Sequence, residues 1–191
     1  MAINPLYFKE ENIRKIQQMF ASNQTVPSIV LHDFFQKECY EQLKQGITRA
    51  AFQKERHPIL YSYQEATPSF VNEGLNTKEM LDFLQKILNK KIKKITGTVQ
   101  CFGWKDYTIL NDEVVEKPGI DLFFCLSDDW DESYGGNVVY VDGTGEYTKT
   151  LLTENMLMIV ERKKGVQKFV QYVNHRAQNK KLYLMRATIN A

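Results

Sequence analysis

From Ile95 onward the apolar residues of this chain stop recurring at helical spacing and fall into short runs of β-type composition. The runs occupy 95–102, 106–110, 120–126, 137–141, 147–152, 156–160, 166–173 and 181–189. Between them stand turn signals such as Lys117-Pro118-Gly119, Gly135-Gly136 and Asp142-Gly143-Thr144-Gly145. A single sheet of such runs would leave one apolar face in water, so the pattern predicts two packed sheets in a jelly roll.

The first half reads differently. Ile13, Ile16 and Phe20 recur at helical spacing and predict an amphipathic helix over 10–21. A short β-branched run at 27–31 predicts a strand. Asp33 with Gln36 resembles a capping box opening a helix to about residue 52, with Cys39, Leu43 and Ile47 on one face. A third helix is predicted to start near Asn76 and Thr77, with Met80, Leu81, Leu84, Ile87 and Leu88 inward. The fold class is therefore α+β, one domain over 1–191: a largely helical support at 1–94 with a few strands, and a jelly-roll core at 95–191.

Composition excludes some classes. Hydrophobic residues are 43% and aromatics 12% of the 191 residues, which rules out a disordered chain. Lys and Arg number 25 against 23 Asp and Glu, so whole-molecule charge does not favour nucleic acid or membrane. Cys39, Cys101 and Cys125 show no metal-site or disulfide spacing and are read as reduced thiols. The N-terminal stretch is acidic where a signal peptide is apolar, and no apolar run approaches the ~20 residues of a membrane helix. A cytoplasmic protein is expected.

The order of motifs between Trp104 and Lys181 resembles the 2-oxoglutarate/Fe(II) dioxygenases of the prolyl-hydroxylase type, most of all the branch that modifies a ribosomal-protein proline. Asp106-Tyr107 through Glu113 is similar to that family's strand with the first metal motif. The run 120–126, then Trp130-Asp131 and Gly135-Gly136, is similar to its next strand and turn. Asn155-Met156-Leu157 matches its Asn-x-Leu strand, and 169–173 the strand of the distal histidine. The resemblance implies a double-stranded β-helix, with Fe(II) and 2-oxoglutarate as cofactors if the protein is active. Such enzymes hold iron with two histidines and a carboxylate, leaving open positions for cosubstrate and dioxygen.

Carried over, the resemblance puts Asn111 at the first histidine, Glu113 at the carboxylate and Val170 at the distal histidine. It puts Lys181 or Arg186 at the cation that pairs with the cosubstrate carboxylate, with Tyr107 as an added hydrogen bond. The triad is degenerate, and no residue is assigned as catalytic. A re-aimed strand would bring Asp112 and His175 into an alternative metal site, against a reading of His175 as a turn residue. Two functions follow: a pseudoenzyme binding a protein or ribonucleoprotein partner, or a protein-hydroxylating oxygenase with a non-standard metal shell.

Two basic clusters stand apart from these motifs. Lys86, Lys90, Lys91, Lys93 and Lys94 form one; Lys163, Lys164, Lys168, Arg176, Lys180 and Lys181 form the other. They read either as a phosphate-binding surface or as solvated lysines, those ending a helix favoured by its dipole. His32 and His57 read as surface residues, Asp142 to Gly145 as a hairpin turn, and Asp128 to Glu132 as a solvated loop.

Overall fold

A computed structural model of the chain describes residues 1–22, 26–110 and 117–190. Among the described residues four helices appear: α1 (Glu10–Ser22), α2 (Lys37–Thr48), α3 (Ser69–Leu75) and α4 (Lys78–Leu88). The strands before the turn into the jelly roll are β1 (Ser28–Leu31), β2 (Gln53–His57) and β3 (Tyr61–Ala66). Those after it are β4 (Thr96–Phe102), β5 (Tyr107–Thr108), β6 (Gly119–Cys125), β7 (Val138–Val141), β8 (Tyr147–Lys149), β9 (Met156–Arg162), β10 (Gln167–Val170) and β11 (Leu182–Asn190).

Two antiparallel sheets result. The larger runs β1-β9-β6-β11-β4-β3-β2, with β5 added onto β3, and the smaller runs β10-β7-β8. Strand alternation divides the larger sheet's side chains between two cores. On one face Leu122 and Phe124 of β6, Ile159 of β9 and Met185 of β11 pack against Phe83, Leu84 and Ile87 of α4. On the other face Phe123, Met158 and Leu184 meet Val138, Tyr140 and Val170 of the smaller sheet. Buried on both sides, β6 reads as an apolar run broken only by Asp121.

The α4 helix starts where its residues dictate. The Thr77 hydroxyl accepts a hydrogen bond from the Met80 N–H at 3.4 Å, and Asn89, in the left-handed region, ends the helix. The start of α2 departs from expectation. Its N-cap is Gln36, which makes no side-chain cap bond, and Asp33 lies earlier at φ 50°. The segment is held instead by Asn155, whose side chain accepts from the Phe35 N–H and donates to the Phe35 carbonyl, both at 2.9 Å. The helix ends at Thr48, short of residue 52, because 53–66 is drawn into the hairpin of β2 and β3. That hairpin and α3 carry no clear apolar period and were not expected.

Candidate functional site in the inter-sheet cavity

The segments that bear the oxygenase-like motifs lie side by side. The Thr108 hydroxyl of β5 accepts a hydrogen bond from the Val170 N–H of β10 at 2.7 Å. Farther along, Val173 donates to the Asp106 carbonyl and Lys105 donates to the Val173 carbonyl, both at 2.9 Å. The Asp106 carboxylate fastens the turn by accepting from the Ser62 hydroxyl at 2.7 Å and the Gly103 N–H at 2.9 Å.

The Trp and Gly-Gly landmarks have a similar role. Trp130 donates from its indole N–H to the Gly135 carbonyl at 2.9 Å. Gly135 sits at φ 83°, where a Cβ would stand 2.1 Å from the Tyr172 carbonyl oxygen. Only glycine permits that approach, which lets β7 run beside β10.

Between the sheets lies a cavity of about 310 Å³, walled by Val170, Val138 and Phe123, with Thr108, Gln100 and Arg186 supplying polar atoms. Val170, in the position assigned to the distal histidine, is buried and pairs with Val138 across the strands. Its methyl groups offer no lone pair. Asn111, Asp112 and Glu113 lie outside the described residues. His175 is exposed in a 3-10 turn (His175–Ala177) beyond β10 and does not line the cavity. Among the described residues no group of three or more His, Cys, Asp or Glu is placed to hold a metal. The described wall does not fit an iron centre of two histidines and a carboxylate.

Of the two cations proposed for the cosubstrate carboxylate, Arg186 lines the cavity. Lys181 is exposed and lies over Gly103, off the cavity wall. Parity on β11 separates them: Leu182, Leu184 and Arg186 share the inward face, and Lys181 has the opposite parity. Tyr107 also points elsewhere. Its hydroxyl donates to the Ile59 carbonyl at 3.1 Å and its ring faces Tyr172. Tyr61 and Tyr63 of β3 line the cavity instead, in a strand that sequence reasoning did not expect.

Lys168, placed by its sequence neighbours in a surface cluster, proves to be an interior residue. Its ammonium is 2.7 Å from the Asp121 carboxylate, and it lines the cavity from β10. Parity with inward Val170 was the signal. Asp121 is fully buried and accepts from Lys168, from the Tyr140 hydroxyl at 2.9 Å and from the Thr188 hydroxyl at 2.9 Å. Arg162 grips both its oxygens, Nε to Oδ2 at 3.1 Å and Nη2 to Oδ1 at 3.3 Å. Burial alone would raise the Asp121 carboxyl. The flanking Lys168 and Arg162 outweigh it and hold the group well below the usual carboxylate range.

The remaining candidates have structural roles. His57 Nδ1 accepts from the Ile59 and Leu60 N–H groups and closes the β2–β3 turn, while His32 bonds Thr153. Asp142 Oδ1 accepts from Thr144 and Glu146 in the expected hairpin turn. Burial pushes the Cys125 thiol up to about 12 and the Cys101 thiol up to about 11, so neither is a ready nucleophile. No described helix is long and apolar enough to cross a membrane.

The two sheets, the helices on one face and the cavity between the sheets make up a double-stranded β-helix, the fold of solved 2-oxoglutarate/Fe(II) oxygenases. An oxygenase of the 2-oxoglutarate/Fe(II) family from Burkholderia pseudomallei superposes with a TM-score of 0.73 at 7% identity, covering 95% of this chain and 92% of that one. A prolyl hydroxylase from Trichoplax adhaerens, in complex with a hypoxia-inducible-factor degradation-domain peptide, superposes at 0.65 with 12% identity over 98% and 96%. In sequence, the chain is 32% identical over 97 residues to prolyl 3-hydroxylase OGFOD1 of Xenopus laevis, covering 47% of this chain and 19% of that protein. The chain thus spans less than a fifth of the length of the curated relatives it matches. No family model matches it.

Proposed function

We propose that this protein is a jelly-roll binding module, with the oxygenase fold but without its iron chemistry, that takes a protein or ribonucleoprotein partner at the mouth of the inter-sheet cavity. The observation that carries this reading is Val170, an apolar side chain in the cavity wall where the resemblance requires an imidazole. Several large hydrophobic side chains near the cavity stay in water. Ile109 in the wall is 41% exposed, Ile59 beside wall residue Leu60 is 68%, and Tyr172 just past wall residue Val170 is 51%. Such a rim around a concave, partly apolar cavity is characteristic of a docking site. Arg186 inside it favours a partner that presents a carboxylate. The peptide held by the Trichoplax neighbour and the prolyl substrate in the name of the OGFOD1 relatives point to a peptide segment as the ligand.

A second reading has one observation in its favour. Arg186 shares the cavity with Val170, which suits an active oxygenase whose cosubstrate carboxylate pairs there. Iron would then rest on Glu113 and Asn111, with Asp112 in support.

Metal titration separates the two. The wild-type chain with saturating 2-oxoglutarate is expected to show no Fe(II) binding by anaerobic calorimetry, and the Asn111→His/Val170→His variant is expected to gain it. Tight binding by the wild type overturns the binding-module reading. Failure of the double variant overturns the register that assigns Asn111 and Val170 to the two histidines.

A further inference from the structure

Lysines from distant parts of the sequence converge on one end of the larger sheet. The strand register places Thr96 of β4, Asn190 of β11, Gly119 of β6 and Arg162 of β9 at that end. The connections entering or leaving there carry Lys93 and Lys94 before β4, Lys117 before β6, and Lys163 and Lys164 after β9. Lys90 and Lys91 follow α4 into the same region, and all seven are exposed. A cleft of about 840 Å³ between the α1–α4 pair and β9 has Lys90 and Lys163 on its rim and Phe20, Ile87 and Leu88 in its wall.

Basic residues are in excess at this end and acidic ones at the other. The described carboxylate in that cleft is Glu161, 3.2 Å from Lys90. At the other end of β6 and β9, Glu38, Glu41, Asp128, Asp129 and Glu154 outnumber Lys37 and Lys44 in a separate cleft, where Lys44 pairs with Glu41 and Asp128. The net charge of +2 therefore conceals a molecule with a basic end and an acidic one. The dipole of α4 accounts for lysines at its own C-terminus, but not for Lys117, Lys163 and Lys164 on strand connections.

We infer that the basic end binds the phosphate backbone of single-stranded RNA. Seven point charges on flexible stems suit phosphates, and a cleft with an aromatic and aliphatic wall suits unstacked bases. Among the described residues, the connections that carry Lys90 to Lys94 and Lys163 to Lys164 have no exposed large hydrophobic side chain to insert into a bilayer, which disfavours a membrane surface.

The test is fluorescence anisotropy of a labelled single-stranded RNA oligonucleotide of mixed sequence, titrated with the full chain. For four phosphate contacts, affinity falls about 50-fold between ~50 and ~200 mM salt. Lys163→Glu/Lys164→Glu is expected to weaken binding at least about tenfold at ~50 mM salt. Lys54→Glu, on exposed β2 level with Gln64 and away from the basic end, is the control and is expected to bind as wild type. Absent or salt-independent RNA binding overturns the inference, as does full binding by the double variant. Retention on phosphatidylserine vesicles without RNA binding overturns it in favour of a membrane.

Discussion

Asp121 is the residue on which the interior of the jelly roll depends most. It joins Arg162 of β9, Lys168 of β10, Tyr140 of β7 and Thr188 of β11, and so ties strands of both sheets through one carboxylate. Removing one partner of a buried ion pair costs about 3–5 kcal/mol, so Asp121→Asn is expected to lower the free energy of urea unfolding by an amount in that range. The pH dependence follows from the direction of the shift. The folded carboxyl ionises below its usual range, so the unfolded chain takes up the proton first as pH falls. Its stabilisation is complete above the ordinary aspartate pKa of about 4 and is lost as pH drops through the folded value. Urea midpoints at pH 7 and pH 3 should therefore differ less for Asp121→Asn than for wild type; an equal difference contradicts the assignment. The sequence showed Asp121 as the polar break in an apolar run, but not its partners, since ion pairs between distant strands depend on register. Arg186 and Lys168 were legible through strand parity, whereas composition had grouped Lys168 with surface lysines.

Elements with a strong period were read well and those without one were not. Each β-type run after Ile95 overlaps an observed strand, and α1 and α4 start within a residue or two of their expected positions. The β2 strand, Gln-Lys-Glu-Arg-His, is almost wholly exposed and has no apolar face for alternation to reveal. Charged side chains suit such an edge strand because they discourage pairing with another chain, and they also hide it from a hydrophobic-pattern reading. The consequence for the site is direct: β3, paired to this edge, contributes Tyr61 and Tyr63 to the cavity. Two substitutions probe local element geometry, one in the turn before β7 and one at the start of α4. Gly135→Ala forces a Cβ against the Tyr172 backbone at a positive φ, and is expected to cost at least about 1–3 kcal/mol in thermal or urea unfolding. Thr77→Ala removes the α4 cap and is expected to cost about 1 kcal/mol. A Gly135→Ala variant as stable as wild type would show that the close approach of β7 and β10 is not required.

At the scale of the whole molecule, fold and chemistry separate. The landmarks that carried the resemblance prove to be structural: Asp106 fastens a turn, Trp130 and Gly135 set the approach to β10, and Asn155 holds the segment before α2. A chain can keep all of them, and so keep the double-stranded β-helix, while the cavity they enclose changes its lining. That is why the fold was legible from the order of motifs and the activity rests on single positions. Val170 is the position on which the proposed loss of iron chemistry turns. The most direct measurement is anaerobic Fe(II) and 2-oxoglutarate loading of the full chain, followed by exposure to dioxygen and quantitation of succinate. The binding-module reading expects no succinate above the protein-free control. Iron-dependent succinate release that is abolished by Arg186→Ala would contradict it and establish the protein as a working oxygenase.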